Sequence, residues 1–367
     1  MAAPKTGTRP VADSSATGAA SAIRRTDYTL SQQELDIRNH FREFFSREVP
    51  VARVRAAGDV GFDPELWRQL ADLGALGMGL STKRESRDSS VVELVLMSEE
   101  LGRAIAPVPL IEATAAIRLL SSCNAVSVRP LLKDAAAGRR ITVLALNRLP
   151  PGGRQLVPGG AVADAVVGLD GEDLVVVTGK QPPPHVPNQA SAPLAWWDLS
   201  GSGGTRTVIA SGKKARELHA GALEEWRLLT AAALVGLSDA ALRIATEYAK
   251  QRHAFGVPIG TFQAVSHSLV DSAIAIEGGR HLNLRAAWYL EHEPAAARKL
   301  VPMAFAHACR AAYEAVTAAI HVHGAAGLLL ESDIPLYFLR VRTWSVLAGD
   351  PQDELDSIAD HLLGSRR

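Results

Sequence analysis

Only two cysteines, Cys123 and Cys309, occur in 367 residues. That is too few for a disulfide framework and fits a reducing compartment, so a cytoplasmic location is expected. Charge of one sign is lacking as well: 39 Lys+Arg stand against 39 Asp+Glu. No basic excess offers itself to nucleic acid or to an anionic membrane surface, and an acidic ligand must be met by local positive groups. No uninterrupted apolar run has the length to span a bilayer. The N-terminus carries no apolar signal core. Residues 1–27, rich in Ala, Ser, Thr, Gly and Pro, lack the apolar content to pack and read as a disordered tail.

What is present suits a soluble globular chain: 47% apolar and 21% charged residues, with length for two or three packed units. The expected class is α+β, mainly α, in the order helical, β, helical. Residues 28–138 read as a helical domain. Ser31 precedes Gln32, Gln33 and Glu34 as a helix start, and Leu35, Ile37, Phe41, Phe44 and Phe45 follow at helical spacing. Further helices are expected from Pro64 through Leu73, over Val91–Arg103 with Gly102 and Pro107 closing it, and over Leu110–Leu120. Residues 139–220 change character. Short β-rich runs at Ile141–Leu146, Ala165–Val167, Leu174–Val177 and Thr207–Ile209 lie between Gly and Pro clusters, which predicts a small β domain with long loops. From about Leu223 long helices return, so that residues 221–367 read as a four-helix bundle.

The stretch Tyr248-Ala-Lys-Gln-Arg-His-Ala-Phe-Gly-Val-Pro-Ile-Gly-Thr-Phe-Gln263 holds the most chemical information. It is a helix end, a turn at Gly256–Pro258 and a new helix entered near Gln263. Arg252 in the last turn either complements the helix dipole or offers its planar fork to a phosphate, and Phe255 could cover a flat ring. His321 and His323 suggest a metal at first sight, but residues two apart do not share a helix face and no carboxylate or thiol completes a set, so no metal site is expected.

The run Arg-x-x-Phe-Gly-x-x-Ile-x-x-x-Gln within that stretch resembles the signature of acyl-CoA dehydrogenases. His321-Val-His-Gly-Ala-Ala-Gly327, followed by Glu331 to Arg342, resembles the family's second signature, and Glu99-Glu-Leu-Gly-Arg-Ala-Ile-Ala-Pro107 a frequent N-terminal segment. The resemblance implies FAD at a subunit interface and oxidation of an acyl-CoA thioester, with an electron-transfer flavoprotein or similar acceptor. It implies that Arg252 contacts the pyrophosphate, Phe255 and Gln263 the adenosine half, and His321, Gly324 and Ala325 the dinucleotide. Ala325 adds a methyl where the family has Gly.

Desaturation removes a hydride from Cβ and a proton from Cα, and the proton needs a carboxylate within reach. The resemblance puts that Glu soon after the second signature, where this chain has Ala348, or early on the first bundle helix, where it has Trp226. Asp350 and Glu225 are the weak candidates for a displaced base; a one-residue step turns a helix by about 100° and faces Glu225 elsewhere. The ring-holding segment of the middle domain is replaced by Leu144-Ala-Leu-Asn-Arg-Leu-Pro150, and an N-terminal family segment by Ser81–Asp88. Preserved interface residues beside an eroded active site resemble the degenerate subunits of actinobacterial heteromeric acyl-CoA dehydrogenases, including those acting on steroid side chains. A second acyl-CoA dehydrogenase-type subunit is therefore the expected partner. The alternatives are a self-sufficient enzyme with a relocated base and a flavin-free structural subunit.

Overall fold

The structure is a computed structural model and describes residues 29–80, 90–147, 153–329 and 331–363. The tail read at 1–27, the Lys83–Asp88 run and the Pro150-Pro151-Gly152 cluster lie outside the described residues.

Helix α1 (Gln32–Glu48) begins where its cap dictates. Ser31 Oγ accepts the Glu34 N–H, and the Glu34 carboxylate accepts the Ser31 N–H at 2.6 Å, so the first turn's orphan donors are met reciprocally. Phe41, Phe44 and Phe45 face inward. Helix α2 (Val51–Ala56) follows Pro50. Helix α3 (Pro64–Asp72) starts at Asp63, whose carboxylate accepts the Leu66 N–H at 2.8 Å and the Arg53 Nε–H at 2.5 Å. The Arg53 guanidinium holds the Asp63 carboxyl below its usual range. A folded-state value below the unfolded one stabilises above the ordinary carboxyl range, and that stability is lost as pH falls through the lower folded value. Replacement of Asp63 by Ala should therefore cost about 0.5–2 kcal/mol at neutral pH, and the deficit should shrink in melts below about pH 4. An equal melting temperature at pH 7 would show that the cap contributes nothing.

Helix α4 (Val91–Arg103) carries a second capping box, Ser90 with Glu93, and is buried along nearly its whole length. Gly102 does not close this helix. It lies inside it, and Ala104 is the cap. Helices α5 (Leu110–Cys123) and α6 (Arg129–Ala136) complete the N-terminal unit.

The middle unit is a four-stranded sheet in the order β1-β3-β4-β6: β1 (Thr142–Leu144), β3 (Ala165–Asp170), β4 (Asp173–Gly179) and β6 (Gly204–Ser211). β1 and β3 run parallel and the other pairs antiparallel. Consecutive Val and Leu residues of β3 and β4 are buried on both faces, the pattern of strands covered on two sides. A second ribbon pairs β2 (Arg154–Val157) with β5 (Ala195–Asp198), strands too short and polar to stand out in the sequence. It separates two neighbouring tryptophans by the strand's alternation: Trp196 is 45% exposed, while Trp197 is buried and donates to the Gly160 carbonyl at 2.9 Å.

Helix α7 (Gly212–Gln251) starts well before the expected Leu223. Its first turns are rich in charge, but Ala215, His219 and Ala222 dock on the neighbouring strands, and His219 Nε2–H donates to the Ala145 carbonyl at 2.8 Å. Tertiary contact thus recruits residues that show no apolar stripe of their own. By length and composition α7 could cross a bilayer, yet 78% of its apolar window is buried in the fold. Helices α8 (Gln263–His292) and α9 (Pro294–His323) pack along it, joined by α10 (Ile334–Trp344) and α11 (Pro351–Leu363).

Candidate functional site

Helix α7 ends in a hairpin of β7 (His253–Ala254) and β8 (Val257–Pro258). Phe255 and Gly256 form its turn at φ 53° and 83°, the two left-handed residues of a type I′ turn. Left-handed geometry is unfavourable for Phe, and this ring is 98% exposed at the tip. The backbone at Arg252 is pinned: its N–H donates to the Tyr248 carbonyl and its carbonyl accepts the Ile259 N–H, both at 2.8 Å. Its side chain is exposed and has no hydrogen-bond or ion-pair partner among the described residues. The Phe262 ring meets Phe255 edge-on at 6.2 Å, and the next residue, exposed Gln263, opens α8.

The second signature reaches the same end of the bundle. His323, at the end of α9, stacks on Tyr248 at 4.2 Å and an interplanar angle of 24°, which ties the last turn of α9 to the turn that leads into Arg252. Gly324 then takes φ 59° and ψ −138°, a conformation open essentially to Gly alone. His321, Gly324 and Ala325 are exposed beside it. Arg252, Phe255, Gln263, His321, Gly324 and Ala325 thus form one open edge, with a free cation, an aromatic ring and an amide directed outward.

The two weak base candidates lie elsewhere. Glu225 is ion-paired with Arg118 at 2.6 Å. Asp350 Oδ1 accepts the Gln352 N–H at 2.9 Å at the start of α11. Neither lines the cavity of about 40 Å³ that lies where the three units meet. Trp226 and Leu347, the neighbour of Ala348, do line it, together with Glu112, Thr230, Arg340 and Trp344. The Trp226 indole is fully buried, packs against Phe305 at 6.0 Å and donates to Glu112 Oε1 at 3.4 Å. Burial pushes the Glu112 carboxyl up and the Arg340 guanidinium down to about 10. Neither residue stood out in the sequence. The available signals were a single carboxylate in the apolar run Leu110–Ala116 and an Arg on the inward face of α10.

Family models for the acyl-CoA dehydrogenase N-terminal domain and C-terminal domain match residues 31–123 and 217–363. The chain belongs to the acyl-CoA dehydrogenase family. It is 28% identical to the acyl-CoA dehydrogenase IpdE2 of Mycolicibacterium smegmatis, over 89% of this chain and 97% of that one. A solved variant of the Tcur3481-Tcur3483 steroid ACAD superposes with a TM-score of 0.81 at 26% identity, over 91% of this chain and 99% of that one. The ChsE4-ChsE5 complex from Mycobacterium tuberculosis shares the fold at a TM-score of 0.78 and 24% identity, over 93% of this chain and 100% of the matched chain. Acyl-CoA dehydrogenase-fold proteins solved with FAD or its reduced form superpose as well. The acyl-CoA dehydrogenase fold accounts for the helical, sheet, helical order and for the long helix α7. FAD is the cofactor of the family, and the open edge at Arg252 has the donor set for a dinucleotide: a fork for a pyrophosphate, a ring for a base and an amide for polar edges.

Proposed function

We propose that this chain is the base-lacking subunit of a heteromeric acyl-CoA dehydrogenase. In that assembly it lends the Arg252 edge to an FAD shared with a catalytic partner in the cytoplasm. The observation that carries the reading is an asymmetry. The edge that matches the family's cofactor signatures is exposed, whereas the two places where the family puts its carboxylate hold Trp226, which lines a cavity of only about 40 Å³, and Ala348, beside the lining residue Leu347. Glutaryl and steroid thioesters, substrates named for related proteins, need far more room than that. The substrate is an acyl-CoA thioester of fatty-acid or steroid side-chain type, desaturated between Cα and Cβ, with an electron-transfer flavoprotein or similar acceptor. Bound FAD supplies hydride acceptance from Cβ. This chain's residues orient and retain the dinucleotide: Arg252 through paired charge-assisted hydrogen bonds, Phe255 by covering an apolar face, and Gln263, His321 and the Gly324–Ala325 backbone at its polar edges.

Arg252→Ala should lower the flavin content of the purified heteromer, and Arg252→Lys should restore only part of it, because an ammonium cannot reproduce the planar fork. Flavin absorbance per heteromer is the readout. Full retention in the Ala variant would return Arg252 to a helix-end role.

A further inference from the structure

We propose that the cavity between the three units is a binding site for a small monovalent anion, of chloride to formate size, held by Arg340 and Thr230. Arg340 enters from α10 and is 6% exposed. Its one hydrogen bond among the described residues runs from Nη1 to the Ser191 carbonyl at 2.9 Å, and no ion pair joins it to a described carboxylate. A carbonyl satisfies a donor but leaves the charge uncompensated, and an isolated cation deep in a protein is costly.

The surrounding backbone is shaped to this contact. Ser191 sits at φ 46°, unfavourable for a residue with a side chain. Gly61, at φ 64°, approaches it so closely that a Cβ there would lie 1.6 Å from the Ser191 oxygen. Thr230 is 3% exposed, and its hydroxyl has no hydrogen-bond partner among the described residues. An orphan hydroxyl and an uncompensated guanidinium line the same cavity, which is the donor set an anion needs. Glu112, which also lines the cavity, is a poor counterion, because its burial disfavours the charged form. The volume of about 40 Å³ equals roughly three water-sized bodies at ~10–15 Å³ each. A halide or formate fits it and an acyl chain does not. The proposal is independent of the partner reading, since every group involved belongs to this chain.

The test uses the full chain in sodium gluconate, whose anion is too large for the cavity, titrated with bromide, chloride or formate at constant ionic strength. The melting temperature should rise with the logarithm of anion concentration above Kd, by about 5 °C at a hundredfold excess. Arg340→Met should abolish the rise. Glu112→Gln should keep it. Bromide-soaked crystals of the unaltered chain should show anomalous density beside Arg340, which tests the site even if the Met variant fails to fold. Three results would overturn the proposal: an equal thermal response in Arg340→Met, bromide density absent from the cavity, or a response that appears only in Glu112→Gln and so identifies Glu112 as the native counterion.

Discussion

Supplied with FAD but no partner, this chain should desaturate acyl-CoA at least about 10²-fold more slowly than when mixed with an acyl-CoA dehydrogenase subunit that carries the catalytic Glu. Proton abstraction from Cα needs a positioned base, and removing one costs a factor of about 10²–10⁴, or about 2.7–5.5 kcal/mol of barrier. Trp226 and Ala348 cannot accept that proton. The carboxylates adjacent in sequence lie away from the Trp226 cavity: Glu225 pairs with Arg118 at 2.6 Å, and exposed Asp350 accepts the Gln352 N–H at the first turn of α11 and lines a different cavity. The ring-holding segment is altered too: Leu144, Ala145 and Leu146 are buried in the sheet, and the Ala145 carbonyl is taken by His219. Turnover in the mixture should vanish when the partner's Glu is replaced and survive Glu225→Gln and Asp350→Asn here. Rapid turnover by the single chain, lost with either of those two changes, would establish a relocated base and remove the need for a partner.

Gly236→Ala should destabilise the chain by about 3 kcal/mol or more, a large effect for one methyl. Helices α4 and α7 cross with their backbones in contact. A Cβ at Gly236 would lie 1.8 Å from the Glu99 carbonyl oxygen, and one at Gly102 would lie 1.9 Å from the Ala233 oxygen. Backbone cannot swing aside as a side-chain tip can, so the helices must separate. Separation would also stretch the ion pair that bridges them, Arg103 with Asp239, whose guanidinium is held on α4 by Glu99 and Glu100. These side chains are largely buried, and a pair pulled apart there leaves charges poorly solvated. Gly221→Ala is the internal control. It lies on the same helix with nothing within 4 Å of its would-be Cβ, and it should be neutral or stabilising by up to about 1 kcal/mol. Equal melting temperatures for the two variants would show that α4 and α7 do not meet as described.

Local chemistry made much of this fold legible. Ser31 with Glu34 and Ser90 with Glu93 start helices α1 and α4 where the sequence puts them, because a capping box is satisfied within four residues and needs nothing from the rest of the chain. The Arg252–Gln263 run likewise announces a turn and a new helix, which are local demands, but the turn falls at Phe255–Gly256 and closes a hairpin rather than lying at Gly256–Pro258. The apolar runs of β1, β3 and β4 were visible because strands covered on both faces must be continuously apolar, whereas exposed β6 showed only the short run Thr207–Ile209.

Tertiary structure decided what depends on partners far along the chain. β2 and β5 exist by pairing with each other across an intervening stretch that includes two strands of the main sheet. The first turns of α7 are helical because the sheet receives Ala215 and His219. Gly102, legible only as a possible helix end, is instead a point where two backbones touch. The same holds for function. The family resemblance and the six residues of the cofactor edge could be read in order along the sequence, but that they share one end of the bundle follows from the Tyr248–His323 stack. Glu112 and Arg340 were invisible as a pair because their significance is burial. A carboxylate and a guanidinium are ordinary anywhere in a sequence, and they acquire chemical consequence only when folding withdraws both from water beside one small cavity.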